Sequence, residues 1–271
     1  MRKVLGFVGA TLLLAGPALA ADLSKPPPVY KAPALVPVLS WTGWYIGGNA
    51  GWVGSANDNV TNTGTDTGPG GLGTALANGQ IPGSIPDKLS GFIGGGQIGY
   101  NWQTGNWVFG LEADFDGASA KGDAAAVFPG SLTTVPFTTT FHRELDWLAT
   151  VRGRLGVTVA PAFLVYATGG LAVGETKLGN SFICPTCAPP ASTEATTTNT
   201  NSNTSAGWTA GAGAEWMFAP NWSVKAEYLY VDLGTHSSTI TYTYPVANTS
   251  SLTSTVHDTE HVVRGGINFH F

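Results

Sequence analysis

The sequence alternates between apolar and polar residues, with a period of two, in eight separate segments. In WVFGLEADFD, Trp107, Phe109 and Leu111 fall on one side of an extended strand, and Glu112 and Asp114 fall on the other. Such alternation is typical of a β-strand whose two faces meet different surroundings. The segments, in chain order, are WYIGGNAGW, GFIGGGQIGYNW, WVFGLEADFD, LDWLATVRGRLGV, FLVYATGGLAV, GWTAGAGAEWM, WSVKAEYLYVDL and HVVRGGINFHF. The pattern therefore predicts an all-β protein.

The segments are joined alternately by short and by long connections. The short connections QTGN, TVAPA and FAPN are turn sequences built on Gly, Pro and Asn. The long connections lie near residues 54–89, 117–142, 175–205 and 234–258. Loops beyond about 12–15 residues are uncommon in compact soluble domains. Short turns at one end and long loops at the other are instead typical of an outer-membrane barrel.

The alternation alone fits two architectures, because a soluble sandwich and a membrane barrel are both built from amphipathic strands. Three features favour the barrel. Trp residues cluster at the segment ends, where barrels carry aromatic girdles. The apolar faces are rich in Gly and Ala, which would fill a sandwich core poorly. A secretory signal precedes the segments, and the chain closes on an aromatic strand. We therefore predict an eight-stranded antiparallel up-and-down transmembrane β-barrel with four long extracellular loops.

The N-terminal residues carry the features of a secretory signal peptide. Arg2 and Lys3 precede an apolar run and the small-residue sequence GPALAA, which predicts cleavage after Ala20 or Ala21. The run is shorter than the roughly 20 residues that a membrane helix needs. The next stretch, DLSKPPPVYKAPALVPV, is Pro-rich and predicted to be extended. The predicted organisation is a signal peptide at 1–21, a Pro-rich periplasmic leader at 22–40 and the barrel domain at 41–271.

Most charged residues of the segments lie on the face opposite the Trp and Leu positions. In LDWLATVRGRLGV, Leu145 and Trp147 are predicted to point outward, and Asp146 and Arg152 inward. Side chains fill the interior of an eight-stranded barrel, and an unpaired buried charge is costly. We predict a lumen charge network formed by Glu112, Asp114, Arg152, Arg154, Glu215, Lys225, Glu227 and Arg264. It would serve as an ion-selective constriction or as a structural plug, and the small strand number favours the plug.

In combination, several segments resemble a known family. WTGWYIGGNAGW, LDWLATVRGRLG, VYATGGLAVG, KAEYLYVDLG and HVVRGGINFHF are similar to the OmpA-like barrels of alphaproteobacteria, and more narrowly to the RopB-type small outer-membrane proteins of the porin family. The resemblance implies an eight-stranded barrel in the outer membrane, in contact with lipid and lipopolysaccharide and inserted by the outer-membrane assembly machinery. It also implies that Ile267, Phe269 and Phe271 form the signal which that machinery reads.

Other candidate sites carry weaker signals. CPTC lacks the βαβ context or the second Cys pair of a redox or metal motif, so a local loop disulfide between Cys184 and Cys187 is predicted. Some relatives in the broad family are described as haem-binding, which makes a His-based haem site an alternative to solvated loop histidines. The five histidines are His142, His236, His257, His261 and His270. We find no nucleophile–base pattern, phosphate loop or zinc motif, and no basic stripe suited to nucleic acid.

The sequence thus predicts an integral outer-membrane protein with a structural and surface role in the Gram-negative envelope. Neither an enzymatic activity nor a cofactor or metal is predicted. Two alternatives stay open. One is a small-solute porin, and the other is a surface protein whose loops bind haem or ligands of a host or the environment.

Overall fold

A computed structural model describes residues 39–57, 59–68, 71–128, 137–188, 193–244 and 248–271. Ten strands and one short helix make up this part of the chain. The strands are β1 (Gly43–Ser55), β2 (Asn59–Asp66), β3 (Ser84–Pro86), β4 (Ser90–Thr104), β5 (Trp107–Phe128), β6 (Phe137–Ala160), β7 (Phe163–Ala188), β8 (Thr193–Ala219), β9 (Trp222–Tyr244) and β10 (Asn248–His270). The helix α1 (Leu72–Ala77) lies between β2 and β3. The predicted signal peptide and most of the leader fall outside the described residues.

Eight of the strands form a closed antiparallel ring. Neighbours pair in the order β1, β4, β5, β6, β7, β8, β9 and β10, and β1 pairs with β10 to complete the ring. The first and last strands meet in a register that places Tyr45 opposite His270 and Trp52 opposite Val263. Each predicted segment lies within one strand of this ring, except that the last segment ends on Phe271, directly after β10. The predicted all-β antiparallel barrel is confirmed, although the sheet holds ten strands because β2 and β3 add to one side of β10.

The two ends of the ring differ. At one end, which we call the turn end, tight turns connect β4 to β5, β6 to β7 and β8 to β9. Gly105 in the first of these turns has a φ of 61°, a backbone conformation that favours glycine. At the other end, which we call the hairpin end, the strands run well beyond the length that the alternation predicts. The strands β5 to β10 contain 22–27 residues each.

The predicted bounds of the long loops are therefore wrong for the described residues. Most of 117–142, 175–205 and 234–258 is strand rather than loop. In the first long connection, β2, α1 and β3 replace the predicted irregular loop. The physical reason is that Thr, Asn and Ser are compatible with a solvent-exposed sheet as well as with a turn. A composition without a strong apolar face therefore gives no clear signal for such strands.

A β-bulge reverses one predicted orientation. The pairing of β6 with β7 shifts between Leu145 and Trp147, which adds a residue to one strand and changes the side on which the following residues point. Leu145 is consequently buried in the interior, and Asp146 points outward, where it pairs with Lys177 at 2.5 Å. The prediction of Leu145 outward and Asp146 inward was wrong, because it assumed strict alternation along a strand without a bulge.

The ring divides into two facing layers toward the hairpin end. The pairing of β8 with β9 ends at Trp208 and Asp232 in the part of the chain that the structure describes. Beyond it, β5 to β8 form one layer, while β9, β10, β2 and β3 form the other. Apolar side chains from both layers pack together between them, namely Val60, Ile85, Ala124, Phe141, Leu178 and Val256. The hairpin end is thus a two-layered β-structure continuous with the barrel. No helix in the described ranges is long and apolar enough to span a membrane.

Candidate functional site: the layered lumen

Arg152 stands at the centre of a buried ionic network near the turn end. Its Nη2 lies 2.5 Å from Glu112 Oε1 and 2.8 Å from Asp114 Oδ2, and its Nη1 lies 3.0 Å from Glu227 Oε1. The side chain is 1% exposed. Because successive residues of a strand point to opposite faces, the inward positions of β5, β6 and β9 converge here. One guanidinium thus links carboxylates from two other strands.

Arg264 on β10 makes a second link between the same strands. Its Nε and Nη2 donate to Glu227 Oε2 at 2.9 Å and 2.8 Å. Its Nη2 donates to Asp114 Oδ2 at 3.1 Å, and its Nη1 to Asp116 Oδ2 at 2.5 Å. Asp114 and Glu227 are therefore each held by both Arg152 and Arg264. Such charge-assisted bonds fix the orientation of all the groups involved.

Arg154 organises the side of the network nearest the turn end. Its Nη2 donates to Glu215 Oε2 at 2.6 Å, and its Nη1 donates to the Tyr45 hydroxyl at 2.8 Å. The guanidinium carbon lies 3.9 Å from the ring centroid of Tyr166, within the range of a cation–π interaction. Tyr45 in turn donates to Glu112 Oε2 at 2.8 Å. The phenol of Tyr45 therefore connects the Arg154 and Arg152 parts of the network.

Lys225 closes the network on β9. Its Nζ donates to both oxygens of Glu112, at 2.9 Å and 3.0 Å, and lies 3.8 Å from Glu227 Oε2. The structure thus brings together all eight residues named for the lumen from the sequence. Further residues join the same network, among them Asp116, Tyr45 and Tyr166.

The network is nearly balanced in charge. Four cations, Arg152, Arg154, Lys225 and Arg264, meet five carboxylates, Glu112, Asp114, Asp116, Glu215 and Glu227. His270 is close to one of these carboxylates, with its Nε2 3.6 Å from Glu215 Oε1. Since a charge removed from water must be matched by a nearby partner, this near-equality is what a dry interior requires.

Apolar layers bound the network on both sides. Toward the turn end, the completely buried Trp41 packs with Val108, Leu164, Tyr166 and Met217. The indole of Trp41 donates to the carbonyl of Pro161 at 3.3 Å, which fixes it across the lumen. Toward the hairpin end, a larger layer crosses the lumen and comprises Val53, Leu89, Ile93, Ala120, Leu145, Leu148, Ala172, Leu229, Val231, Leu233 and Val262. These residues are at most 3% exposed.

A second polar layer lies beyond the larger apolar layer, and we call it the Arg143 compartment. Arg143 is fully buried, with its Nη1 2.9 Å from Asp258 Oδ1 and its Nε 3.2 Å from Asp87 Oδ2. Thr176 donates to Asp258 Oδ2 at 2.6 Å. Glu260 is also inside, at 1% exposure. The cluster of Val60, Phe141 and their neighbours covers the compartment on the side facing the hairpin end.

Helix α1 covers the outermost part of the interior. Leu72, Ala75 and Ile81 pack there against Phe182, Ile240 and Leu252. Asp66 secures the helix by accepting bonds from the amides of Gly73 and Thr74, at 3.0 Å and 2.7 Å. Burial alone would raise the pKa of Asp66, but these bonds and those from the Ser250 and Thr74 hydroxyls hold that pKa below its usual range. The first long connection is therefore a fixed cap.

The interior of the barrel is layered along its length. Polar and apolar layers alternate along the lumen, so an ion that enters from either end meets an apolar layer. Within the described residues, no group of three or more His, Cys, Asp or Glu side chains could hold a metal ion.

Comparison with known proteins assigns the chain to a family. A family model described as "Outer membrane protein beta-barrel domain" matches residues 8–269. The 31 kDa outer-membrane immunogenic protein of Brucella melitensis is 37% identical over 260 residues, which cover 96% of this chain and 95% of that protein. The chain belongs to the outer-membrane β-barrel protein family.

Two further proteins are less similar to this chain. The 22 kDa outer membrane protein of Rhizobium leguminosarum is 28% identical over 198 residues, which cover 72% of this chain and 66% of the relative. The crystal structure of OprG from Pseudomonas aeruginosa is 13% identical, with a TM-score of 0.45 over 85% of this chain and 97% of that one. Family membership rests on the Brucella relative and the family model, and it places this outer-membrane β-barrel protein in the Gram-negative outer membrane.

The outer surface of this outer-membrane barrel is apolar between two groups of aromatic residues. Trp44, Trp107, Trp216 and Trp222 stand outward near the turn end, each 42–57% exposed. Trp52, Trp147 and Trp208 stand outward at the far limit of the apolar surface, beyond which most outward residues are polar, with Val127 as an exception. Several girdle residues contact each other, such as Trp44 with Tyr100 at a centroid distance of 5.2 Å. The charged lumen residues are thus inside, and the tryptophans other than Trp41 face the lipid.

The three residues named as the assembly signal share the outer face of the terminal strand. Ile267 and Phe271 are exposed, and the ring of Phe269 lies 5.0 Å from Trp222 and 5.2 Å from Phe271. The carbonyl of Trp44 accepts a bond from the Phe271 amide at 3.0 Å, so the chain end is anchored on β1. These residues form one aromatic patch at the turn end. Their role in assembly stays a prediction.

The histidines do not converge on one site. His236 and His270 are inside the barrel at different levels, whereas His142, His257 and His261 point outward. His261 Nδ1 lies 2.7 Å from the Tyr228 hydroxyl, and His257 Nδ1 lies 3.0 Å from Thr235 Oγ1. Cys184 and Cys187 belong to β7, but their side chains lie outside the part of the chain that the structure describes.

The sequence pattern missed the Arg143 compartment completely. Its members fall in stretches predicted to be loops, or immediately beside them, so their charges were not separated from those of solvated residues. One signal was present. Arg143, Phe141 and Leu145 continue the period of two at the end of a predicted strand, which would have extended that strand toward the hairpin end.

Proposed function

We propose that the protein is a closed, non-conducting barrel that fixes a β-structured surface element on the outside of the outer membrane. The hairpin end would face the exterior, and the turn end the periplasm. About 9–11 residues suffice for a tilted strand to cross the bilayer. The strands β5 to β10 contain 22–27 residues, so more than half of each would project from the lipid.

The observation that carries this proposal is the layered lumen. An open pore of a porin requires a continuous path of water along its axis. Here Leu148, Leu229 and Val262 lie in one apolar layer across the lumen, and Trp41 lies in another. The ionic network between these layers would therefore serve as a structural plug and not as a constriction for passing ions.

A surface role is also supported by the relative from Brucella melitensis. That protein is named an outer-membrane immunogenic protein, and its similarity extends over 96% of this chain. We infer that the hairpin end of this barrel is accessible from outside the cell. Its outward face is largely polar, with ion pairs such as Lys121 with Glu144 at 2.9 Å. Ligands of a host or the environment would meet this polar surface.

We also infer that the protein is not an enzyme and that its insertion depends on the outer-membrane assembly machinery. The terminal aromatic patch supports the second inference, because the last strand pairs with the first and thereby closes the barrel.

Planar-bilayer recording of the refolded protein tests the proposal directly. We expect no conductance steps from the wild-type chain, because the apolar layers exclude hydrated ions. The variants Glu112→Ala and Arg152→Ala change the ionic network but leave both apolar layers in place, and we expect them to remain silent. Glu144→Ala, on the outer surface, is the matched control. Regular conductance steps whose ion selectivity changes in Glu112→Ala, but not in Glu144→Ala, would show that the protein is a porin.

A further inference from the structure

The Arg143 compartment contains more buried negative charge than its cations can match. Asp87, Asp258 and Glu260 are each at most 1% exposed, and within the described ranges Arg143 is the permanent cation that contacts two of them, Asp87 and Asp258. The four cations of the buried ionic network near the turn end cannot neutralise these carboxyl groups, because the apolar layer with Leu145, Val231 and Val262 lies between. Isolated ionised carboxylates are too costly to bury, and such groups take up a proton instead.

Glu260 is the carboxyl that lacks a partner. Arg143 and Thr176 occupy the two oxygens of Asp258, at 2.9 Å and 2.6 Å. Neither oxygen of Glu260 meets a hydrogen-bond donor among the described residues. The group that Glu260 faces on its own strand is the Asp258 carboxyl. Two carboxyl groups can share a hydrogen bond only when one of them holds a proton.

The other elements around Glu260 supply little compensation. From β6 comes Arg143, already bound to Asp258, and from β9 comes Asp232, a further negative charge. His236, also on β9, has its Nε2 3.9 Å from Asp258 Oδ2 and adds a positive charge only when protonated. The segment before β4 adds the carboxyl of Asp87. Among the described residues, the charged groups around Glu260 are therefore other carboxyls, the Arg143 guanidinium already bound to Asp258, and His236, which is charged only when protonated.

We propose that Glu260 holds a proton which it donates in a hydrogen bond to Asp258, and that release of this proton to solvent loosens the hairpin end. The fold thus contains a pH-responsive device in its projecting half. Deprotonation would place two carboxylates side by side between apolar layers, and local opening of β9, β10 and β2 would relieve their repulsion.

The direction of the pH response follows from the difference between the pKa of Glu260 in the folded chain and its pKa in the unfolded chain. Glu260 lies beyond the last outward residues of the lipid-facing surface, since its outward neighbour His261 is polar and its pairing partner Ser55 follows Trp52. Burial, together with the neighbouring Asp258 carboxylate, raises the pKa of Glu260 well above its ordinary value. The unfolded group titrates near pH 4.3. The stabilisation is therefore complete below about pH 4.3 and is lost as the pH rises through the higher pKa of the folded state.

Amide hydrogen exchange of the full chain in lipid nanodiscs tests the proposal. Protection factors, which correct for the intrinsic pH dependence of exchange, should fall in 250–260 by up to about tenfold per pH unit within the titration range of Glu260. Those in 262–270 should stay constant, because they belong to the membrane part. In Glu260→Gln, which keeps the neutral shape, the fall should disappear, and protection at alkaline pH should exceed that of the wild type.

Glu144→Gln is the matched control, since Glu144 lies on the outer surface of β6 and pairs with Lys121. It should keep the wild-type response. A pH response that persists unchanged in Glu260→Gln, or is absent from the wild type, overturns the proposal. Should Glu260→Gln fail to fold, infrared spectroscopy of the wild type with ¹³C-labelled glutamate decides. A protonated glutamate C=O band that is present just below the pH range in which protection falls, and that vanishes through that range, supports the proposal, and absence of that band contradicts it.

Discussion

At the scale of single residues, the interior depends on groups with several partners. Arg152 contacts three carboxylates, and each of these contacts at least one further cation. No pair in this network is isolated, so removing one member leaves several charges uncompensated in a dry interior. Breaking a buried ion pair by removing one partner is strongly destabilising, although the intact pair adds little net stability by itself.

Replacement of Arg152 by Met should therefore destabilise the barrel strongly. We expect a loss of about 3–5 kcal/mol, because Glu112, Asp114 and Glu227 stay buried with fewer donors. Denaturant titration of the refolded protein in micelles, followed by Trp fluorescence, measures the change. Lys177→Met is the control. Lys177 also forms an ion pair, with Asp146, but on the outer surface, so its loss should leave the unfolding midpoint unchanged. Equal midpoints for both variants would show that the buried network has no structural role.

At the scale of elements, the last strand, β10, differs from the other described strands because it pairs with three neighbours. It pairs with β9 on one side and, on the other, with β1 at the turn end and β2 at the hairpin end. The ring closes only when β10 meets β1. The turn end of β10 carries the aromatic patch of Phe269 and Phe271. A defect there should affect insertion before it affects the stability of the finished barrel.

The variant Phe271→Ala should reduce the amount of barrel assembled in cells by severalfold. Phe271 is 70% exposed, so its side chain adds little packing to the folded chain. The measurement is the fraction of heat-modifiable protein in the outer-membrane fraction, compared with stability of the same variant refolded in vitro. Phe163→Ala, which truncates an outward aromatic residue at the start of β7, is the control. If both variants assemble like the wild type, Phe271 is not a signal for assembly.

The strands also show how far the sequence predicts the structure. The lipid-facing part of each strand could be predicted, because one apolar and one polar face impose a period of two. The inward position of Arg152 or Glu227 follows from the same rule. The extensions of β7 and β8 could not be predicted, since sequences such as TTTNTNSNTS carry no apolar face. The bulge near Leu145 could not be predicted either, because it depends on the pairing of two strands and not on one.

At the scale of the whole molecule, one continuous sheet forms two different structures. In the membrane it is a closed ring with lipid outside and charges inside, and beyond the membrane it opens into two layers with an apolar centre. Three apolar clusters and the turn-end layer of Trp41 separate the polar layers of the interior. We expect these layers to seal the lumen against water and ions.

The accessibility of introduced thiols in liposomes is a direct test of whether the lumen is sealed. The measurement compares a lumen position, Thr150→Cys, with a surface position, Lys177→Cys, both in a chain in which Cys184 and Cys187 are replaced by Ser. Thr150 is 2% exposed and donates to Asp114, whereas Lys177 lies on the outer surface of the hairpin end. We predict rapid labelling of Lys177→Cys by a water-soluble, charged thiol reagent, and no labelling of Thr150→Cys until the protein is denatured. Labelling of Thr150→Cys in the folded barrel at a rate similar to that of Lys177→Cys would contradict a sealed lumen.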